Sequence, residues 1–386
     1  MRGAAHRPGV ARERERGMAI LTAMLVIALG TITMVAIVSS QRFALQREKN
    51  EGAIALARDL AISGERFAAA LLWRDVQEKA RENTDSLDDD WAQTIPPVPI
   101  DQAAIQGCII DMQGRFNLNN LIDAAGTAQA PYVEQLGRLL GVLNIERNKA
   151  QAIVDWLDAD IDATVPDGAE DDFYTSLESP YRAANRPFAS VSELQLVKGF
   201  DPRVEDERED YELLLPHVAA LPTANGPTPV NVNTATPEVL ASVDEGFPIG
   251  IGLSRWETSA YEDYPECEDI FDLEAEATES LVAQDELTPY LSVEEFRREA
   301  AGVAPPDEST AQPNPDGQET PPPNIDADGN VISDPADVQI PLSVTSDWYE
   351  VRIDVSTENL RLSQFTLFQR DGEGRTRIVR RSRDTI

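Results

Sequence analysis

Seven carboxylates, Asp158, Asp160, Asp162, Asp167, Glu170, Asp171 and Asp172, crowd one short stretch of this chain. So many like charges repel one another within a compact loop unless a cation neutralises them. Oxygen donors select hard ions, Ca²⁺ or Mg²⁺, and calcium sites of roughly six to eight oxygens tolerate irregular loops. The alternation Asp158-x-Asp160-x-Asp162 opens like an EF-hand loop. Counted from Asp158, however, the sixth position is Ala163, where the turn needs Gly, and the twelfth is Ala169, where a bidentate Glu belongs. That loop type is excluded. An irregular cation site built from Asp158, Asp160, Asp162, Asp167, Glu170 and Asp171 stands beside the plainer reading of a solvated acidic loop. A catalytic carboxylate pair is disfavoured, because aspartates in a row are not differentiated without an apolar pocket to raise one pKa.

Other chemistry is scarce. His6 and His217 are the only histidines, which supports no Ser-His-Asp or Cys-His arrangement. A catalytic role is therefore not expected. Cys108 and Cys267 could pair in an oxidising compartment, but sequence alone does not show their separation. The formal net charge of −35 disfavours nucleic acid and anionic lipid. Val230–Leu240 (VNVNTATPEVL) resembles the opening of a helix-hairpin-helix module, yet Glu238, Asp244, Glu245 and Glu257 flank it against Arg255. Phosphate backbones need cations there, so the hairpin is read as a packing device and no nucleic-acid partner is expected. With 42% apolar residues over 386 positions, the chain is long enough for more than one core.

The elements that must position these groups begin with an apolar run. Met18–Val38 is uncharged and long enough to cross a bilayer's hydrocarbon. Before it, Arg2, Arg7, Arg12, Arg14 and Arg16 outnumber Glu13 and Glu15, so the leader is expected to stay cytoplasmic and the rest to be exported. The run exceeds the h-region of a secretory signal peptide. It continues into Gln41–Asn83, where Ile54, Leu56, Leu60, Phe67, Leu71 and Leu72 mark a helical face expected to pack on a sheet. Trp91–Pro99 breaks that helix with three prolines, and Gly107–Leu121 opens as a strand followed by a turn. Tyr132–Leu143 and Arg147–Leu157 carry helical spacing. Ala304–Pro341 is Pro-rich, polar and expected to be disordered. Near the end, Tyr349, Val351, Ile353 and Val355 alternate with polar residues as in a half-buried strand, Leu360–Gln369 is a second strand, and Arg375–Arg381 a third beyond the turn at Asp371–Gly374. The basic residues of that tail are expected to pair with nearby acidic surface.

A basic leader ending in Gly17, an apolar helix starting at Met18 and an amphipathic stem resemble a type IV prepilin-like protein. That resemblance implies cleavage between Gly17 and Met18 by a prepilin peptidase, with methylation of the new N-terminus. Such proteins usually carry Glu at the fifth mature position, where it neutralises the ammonium of the subunit ahead; this chain has Thr22 there. The GRFNLNNL run (Gly114–Leu121), Asp155–Asp160 (DWLDAD), Gly168–Tyr174 (GAEDDFY), Ala189–Leu194 (ASVSEL) and Val230–Leu240 follow in order and resemble the K-class minor pseudopilins of type II secretion systems. Arg115 and Asn117 are read as structural joints.

The resemblance implies an α+β fold: a long N-terminal transmembrane and stem helix with a pilin-like antiparallel sheet, carrying a large inserted all-helical domain. The expected divisions are a leader at 1–17, the transmembrane and stem helix at 18–95, first strands at 96–121, the insert at 122–300, a linker at 301–343 and final strands at 344–386. It also implies calcium in the insert, a single-pass inner-membrane location with periplasmic domains, and a place at the pseudopilus tip with the I and J classes, on the inner-membrane secretion platform. Alternatives are a minor pilin of a type IV pilus and a calcium-dependent membrane-anchored hydrolase.

N-terminal sequencing of the membrane-extracted protein should find a mature start at Met18, whereas a start beyond Ser39 would mean an ordinary signal peptide. Gly17→Arg should leave the chain unprocessed, since a subsite fitted to a hydrogen cannot take a guanidinium.

Overall fold

The structure, a computed structural model, describes residues 10–78, 84–93, 95–248, 289–301, 340–358 and 360–385. The expected disorder of Ala304–Pro341 falls almost entirely outside these residues, as do His6 and Cys267.

Helix α1 runs unbroken over Val10–Glu78, a span free of proline, and includes the Gly17–Met18 junction. Its N-terminal portion is exposed and is long and apolar enough to cross a membrane. Its C-terminal portion lies on a five-stranded sheet of order β1-β2-β7-β8-β9. The strands are β1 (Ile95–Ile100), β2 (Ala103–Asp111), β7 (Trp348–Thr357), β8 (Leu360–Arg370) and β9 (Thr376–Thr385), with every neighbour antiparallel. Residues 351, 353 and 355 form the period-two face read from sequence, and they pack on α1 with Tyr349, Leu362 and Phe368.

The face α1 offers the sheet keeps Leu56, Leu60, Leu71 and Leu72 of the expected stripe and adds small residues between them. Ala57, Ala61, Ala68 and Leu72 are buried there, whereas Phe67 borders a groove at the sheet and is 53% exposed. Ile54, Leu56, Leu60 and Leu71 are only partly buried. The reason is proximity. A Cβ on Gly64 would come within 2.9 Å of Ile353 Cδ1 and 3.1 Å of Ile105 Cδ1, so helix and sheet approach too closely for large side chains. Small residues at helical spacing make the contact, and the leucines flank it.

Between β2 and β7 the chain leaves the sheet to build a second core. It holds α2 (Ala130–Val142), α3 (Lys149–Leu157), α4 (Asp171–Tyr174), α5 (Glu205–Leu214), α6 (Pro237–Val243) and α7 (Val293–Ala300). The expectation of an all-helical insert is refined by two short parallel ladders. One joins β3 (Phe116–Asn117) to β4 (Val218–Ala219), and the other joins β5 (Val230–Asn231) to β6 (Leu342–Ser343). Much of the remainder is loop held by side-chain amides. Asn119 Nδ2 donates to Phe188 O (3.0 Å), and its Oδ1 accepts from Phe188 N (2.7 Å). Asn117 does the same with Leu221, Asn120 with Thr228, and Asn233 with Tyr290. An amide carries both donor and acceptor, so each Asn substitutes for one rung of a ladder. That is why asparagines recur in the GRFNLNNL and VNVN runs.

A buried polar knot joins the two cores. Arg370 on β8 donates to Asp85 Oδ2 (2.5 Å), Asp75 Oδ2 (3.3 Å) and Ser346 O (2.8 Å), and stacks 4.7 Å from the Tyr349 ring. Asp111, at the end of β2, accepts from Gln113 N, Asn231 Nδ2, Thr234 Oγ1 and Ser346 Oγ. Burial nevertheless lifts its pKa to about 6. Removing one partner of a buried ion pair strands the other charge, at a cost of about 3–5 kcal/mol. Arg370→Met should therefore lower Tm steeply, whereas Arg375→Met, which breaks an exposed pair with Asp371, should leave Tm unchanged. Calorimetry on the two variants checks the contrast.

Candidate metal centre

Helix α3 ends by carrying Asp155 and then Asp158 out of its last turn. Asp155 is fully buried; its Oδ2 accepts from Thr164 N (3.0 Å), and its Oδ1 has no hydrogen-bond partner. The loop then passes Asp160, whose Oδ1 accepts from Asp162 N (2.9 Å), and returns to Glu170 at the start of α4. Asp158 Oδ1 and both carboxylate oxygens of Glu170 are buried and have no hydrogen-bond partner. Ligand oxygens of Asp158, Asp160 and Glu170 all lie within 4.8 Å of one another.

Buried acceptors without donors are costly, and these belong to carboxylates. Burial, with Asp160 and Asp155 nearby, lifts the Asp158 pKa to about 6. Burial, with Asp155, Asp158 and Asp160 around it, lifts Glu170 to about 7. A divalent cation would reverse both effects by supplying positive charge to the orphaned oxygens. The loop also leaves no spare room. A Cβ on Gly168 would collide with Asp155 Oδ2 and Thr164 O, so the turn that presents Glu170 requires glycine. The donor set fits a hard cation of the calcium type.

Of the expected ligands, the fold gathers Asp158, Asp160 and Glu170 and leaves three outside this group. Asp171 turns to Arg182 Nη1 (3.0 Å) and Ala183 N (3.1 Å). Asp162 is exposed, with its backbone bent toward Asp160. Asp167 is held through its backbone, its N–H by Gln151 Oε1 and its carbonyl by Lys198 Nζ. Asp155 was missed as a candidate, because it sits within the apolar stripe of α3. Its spacing of one helical turn from Asp158 is the signal that could have found it.

The remaining candidates are elsewhere. Cys108 on β2 is buried and borders an apolar groove with Phe67 and Ile105, and its expected partner Cys267 lies outside the described residues. His217 is buried, 3.0 Å from Thr236 Oγ1, and burial holds its pKa near 4, so it is a neutral packing group at physiological pH. Val230–Leu240 supplies β5 and α6, and α2 grips the end of α6 through Arg138, which donates to Ser242 O and Val243 O.

Residues 114–223, which include Asn117, Asn119, Asn120 and the acidic loop, match a family model described as type II secretion system (T2SS), protein K. The chain is 38% identical over 246 residues to the type II secretion system protein K of Pseudomonas aeruginosa, covering 61% of this chain and 70% of that protein. It is 33% identical over 247 residues to the protein of the same description from Klebsiella pneumoniae, covering 62% and 72%. In overall fold it resembles a chain from the crystal structure of the GspK-GspI-GspJ complex of the enterotoxigenic Escherichia coli type 2 secretion system. The TM-score is 0.60 at 21% identity, over 88% of this chain and 99% of that one.

Adding Ca²⁺ to chelator-treated protein should raise Tm by mass action, by about 2.7 kcal/mol of stability at a hundredfold excess over Kd. In metal-free protein the raised pKa values of Asp158 and Glu170 cost stability as pH climbs from the ordinary carboxylate range near 4 up to about 6 to 7, above which the cost is constant. The calcium-induced shift should therefore be small at pH 5, where protons compete, and larger at pH 7.5. Asp158→Asn with Glu170→Gln should abolish it, and a shift that survives the double variant would contradict the site.

Proposed function

The chain belongs to the protein K family of type II secretion systems, and on that premise we propose that it is the minor pseudopilin that ends the pseudopilus at its tip. The observation that carries this reading is where the insert leaves the sheet. At one end, β2 and β7 pair Ala103 with Thr357, and Thr357 shares a groove with Lys49 and Leu56 of α1, the side nearer the membrane segment. At the other end Asp111 pairs with Tyr349, beside Arg370 and Asp75. From Leu56 to Asp75 the helix rises about 28 Å. The insert thus departs at the end remote from the membrane helix, where a further subunit would have to stack, and it obstructs that position.

Thr22 supports the same place. Its hydroxyl donates to the Met18 carbonyl within α1 (3.1 Å). A subunit inside the filament would present a carboxylate there to the ammonium of the subunit ahead, and a first subunit has no such neighbour. The small-residue stripe of α1 is covered by the chain's own sheet, which leaves Phe67, Trp73 and the membrane segment for helix contacts with neighbours. By analogy with the Escherichia coli complex, those neighbours are the I and J subunits. The helix anchors the chain in the inner membrane, with leader cytoplasmic and sheet and insert periplasmic, and the prepilin peptidase releases the leader. The role is mechanical: it starts assembly and caps it, without chemistry of its own.

Asp155, Asp158, Asp160 and Glu170 would hold calcium, which supplies the charge needed to keep the loop between α3 and α4 closed. The orphaned oxygens support this, and no other step in the mechanism passes through the ion.

Thr22→Glu should not improve assembly. It places a carboxylate without a partner in hydrocarbon, a cost of about a few kcal/mol. Secretion and recovery of the chain with its I and J partners, measured in a strain lacking the native copy, should stay level or fall. A clear gain in incorporation would show that the chain has a subunit ahead of it.

A further inference from the structure

The sheet has two edges, and the chain treats them differently. Strand β1 carries Pro96, Pro97 and Pro99, which have no N–H to offer and guard that edge against pairing. Strand β9 has ten residues and neither proline nor glycine, and among the described residues nothing extends the sheet beyond it. Ile378 and Val379 on it are 44% and 37% exposed. An open edge of this kind is a template for another strand.

Its charge is selective. Arg381 is bound by the buried Glu65 of α1 (2.7 Å), and Arg380 lies 3.9 Å from Glu350. Arg377 and Arg383 instead donate to the amide oxygens of Gln369 and Gln364, each at 2.7 Å. In a chain of net charge −35, these two guanidiniums face neutral partners and keep their charge for something else. The register shift opposite Leu367 and Phe368 bulges the strand at Val379. There Val379 and Arg380 open onto a cleft of about 740 Å³, whose far wall is Phe188, Pro222 and Thr223 of the insert.

We propose that β9 is a docking edge for an extended, acidic segment of another protein, which adds to the sheet as a sixth strand and sets one apolar side chain in the cleft. Main-chain hydrogen bonds supply affinity in strand addition, and pockets for alternate side chains supply selectivity. Charge decides the occupant. A second copy of this chain would set arginine against arginine along the new ladder, which like-charge pairing disfavours. An acidic strand is met favourably on both faces of the ladder, by Arg377 on the cleft side and by Arg383 on the side toward α1. Arginines that merely kept the edge from self-association would explain the charge but not the cleft beside it. The surface is separate from the helix contacts of the tip reading and stands without them.

The test uses the full chain in detergent micelles and a fluorescein-labelled (Asp-Val)₄ peptide, with binding read by anisotropy. Saturable binding is expected, with slowed amide exchange along β9. N-methylation of alternate peptide residues keeps the charge but removes donors, and should weaken binding by at least about tenfold. Arg377→Glu with Arg383→Glu, shown to be folded by its melting curve, should lose (Asp-Val)₄ and gain (Lys-Val)₄. If that variant does not fold, Arg377→Gln with Arg383→Gln should weaken the acidic peptide without favouring the basic one. Equal binding of the N-methylated peptide would reduce the edge to simple charge attraction and overturn the proposal. So would no binding at all, or binding that appears only after deletion of Pro305–Pro323, which would assign the edge to the chain's own acidic segment.

Discussion

Arg370 between Asp75 and Asp85 is the constraint on which the rest of the molecule depends. All three side chains are 3–6% exposed, and they come from the stem helix, the segment after it and strand β8. Asn231 of the insert reaches into the same knot, donating to Asp85 O, Asp111 Oδ2 and Ser346 Oγ. Buried charge of this kind contributes little net stability, since desolvation consumes most of the attraction. Its value is positional. Hydrophobic burial is nondirectional and would let sheet and insert slide against each other. A satisfied ionic knot permits one arrangement, and the insert is thereby fixed to the end of the sheet remote from the membrane segment.

The same logic recurs along α1. Glu65 is buried and takes hydrogen bonds from Gln364, Thr366 and Arg381, so the stem is locked in rotation as well as in place. Closely packed alanines and Gly64 set the distance, and the ionic contacts set the register. A stem so fixed transmits force from the membrane segment to the insert without a soft joint, as a structure that is pushed or pulled from its base requires.

The parts of the fold with strong local periodicity were legible in sequence: the membrane run, the strand at residues 348–355 and the turn at Asp371–Gly374. What was not legible depended on partners distant in sequence. Phe67 read as core and Ala61 did not, because the closeness of the sheet is set by Gly64 and Gly107 meeting Ile353. Nothing local marks Glu65 as buried, and Gln364, Thr366 and Arg381, far along the chain, make its burial tolerable. In the acidic loop the composition offered a cation site beside a solvated loop, and only the path of the backbone brings Asp158, Asp160 and Glu170 together. Asp171 faced Arg182, and Asp155 turned inward from a helix whose neighbours were apolar. The asparagine-rich runs were recognisable as a pattern before their purpose, replacing ladder rungs with side-chain amides, was visible.

The central claim is that the membrane-distal insert makes this chain a terminal subunit. Counting copies on individual filaments tests it most directly. Pseudopili would be assembled with the chain fluorescently labelled at a single exposed site, and bleaching steps counted together with their position. The account predicts one step, at one end of each filament. Many steps spread along the shaft would contradict it.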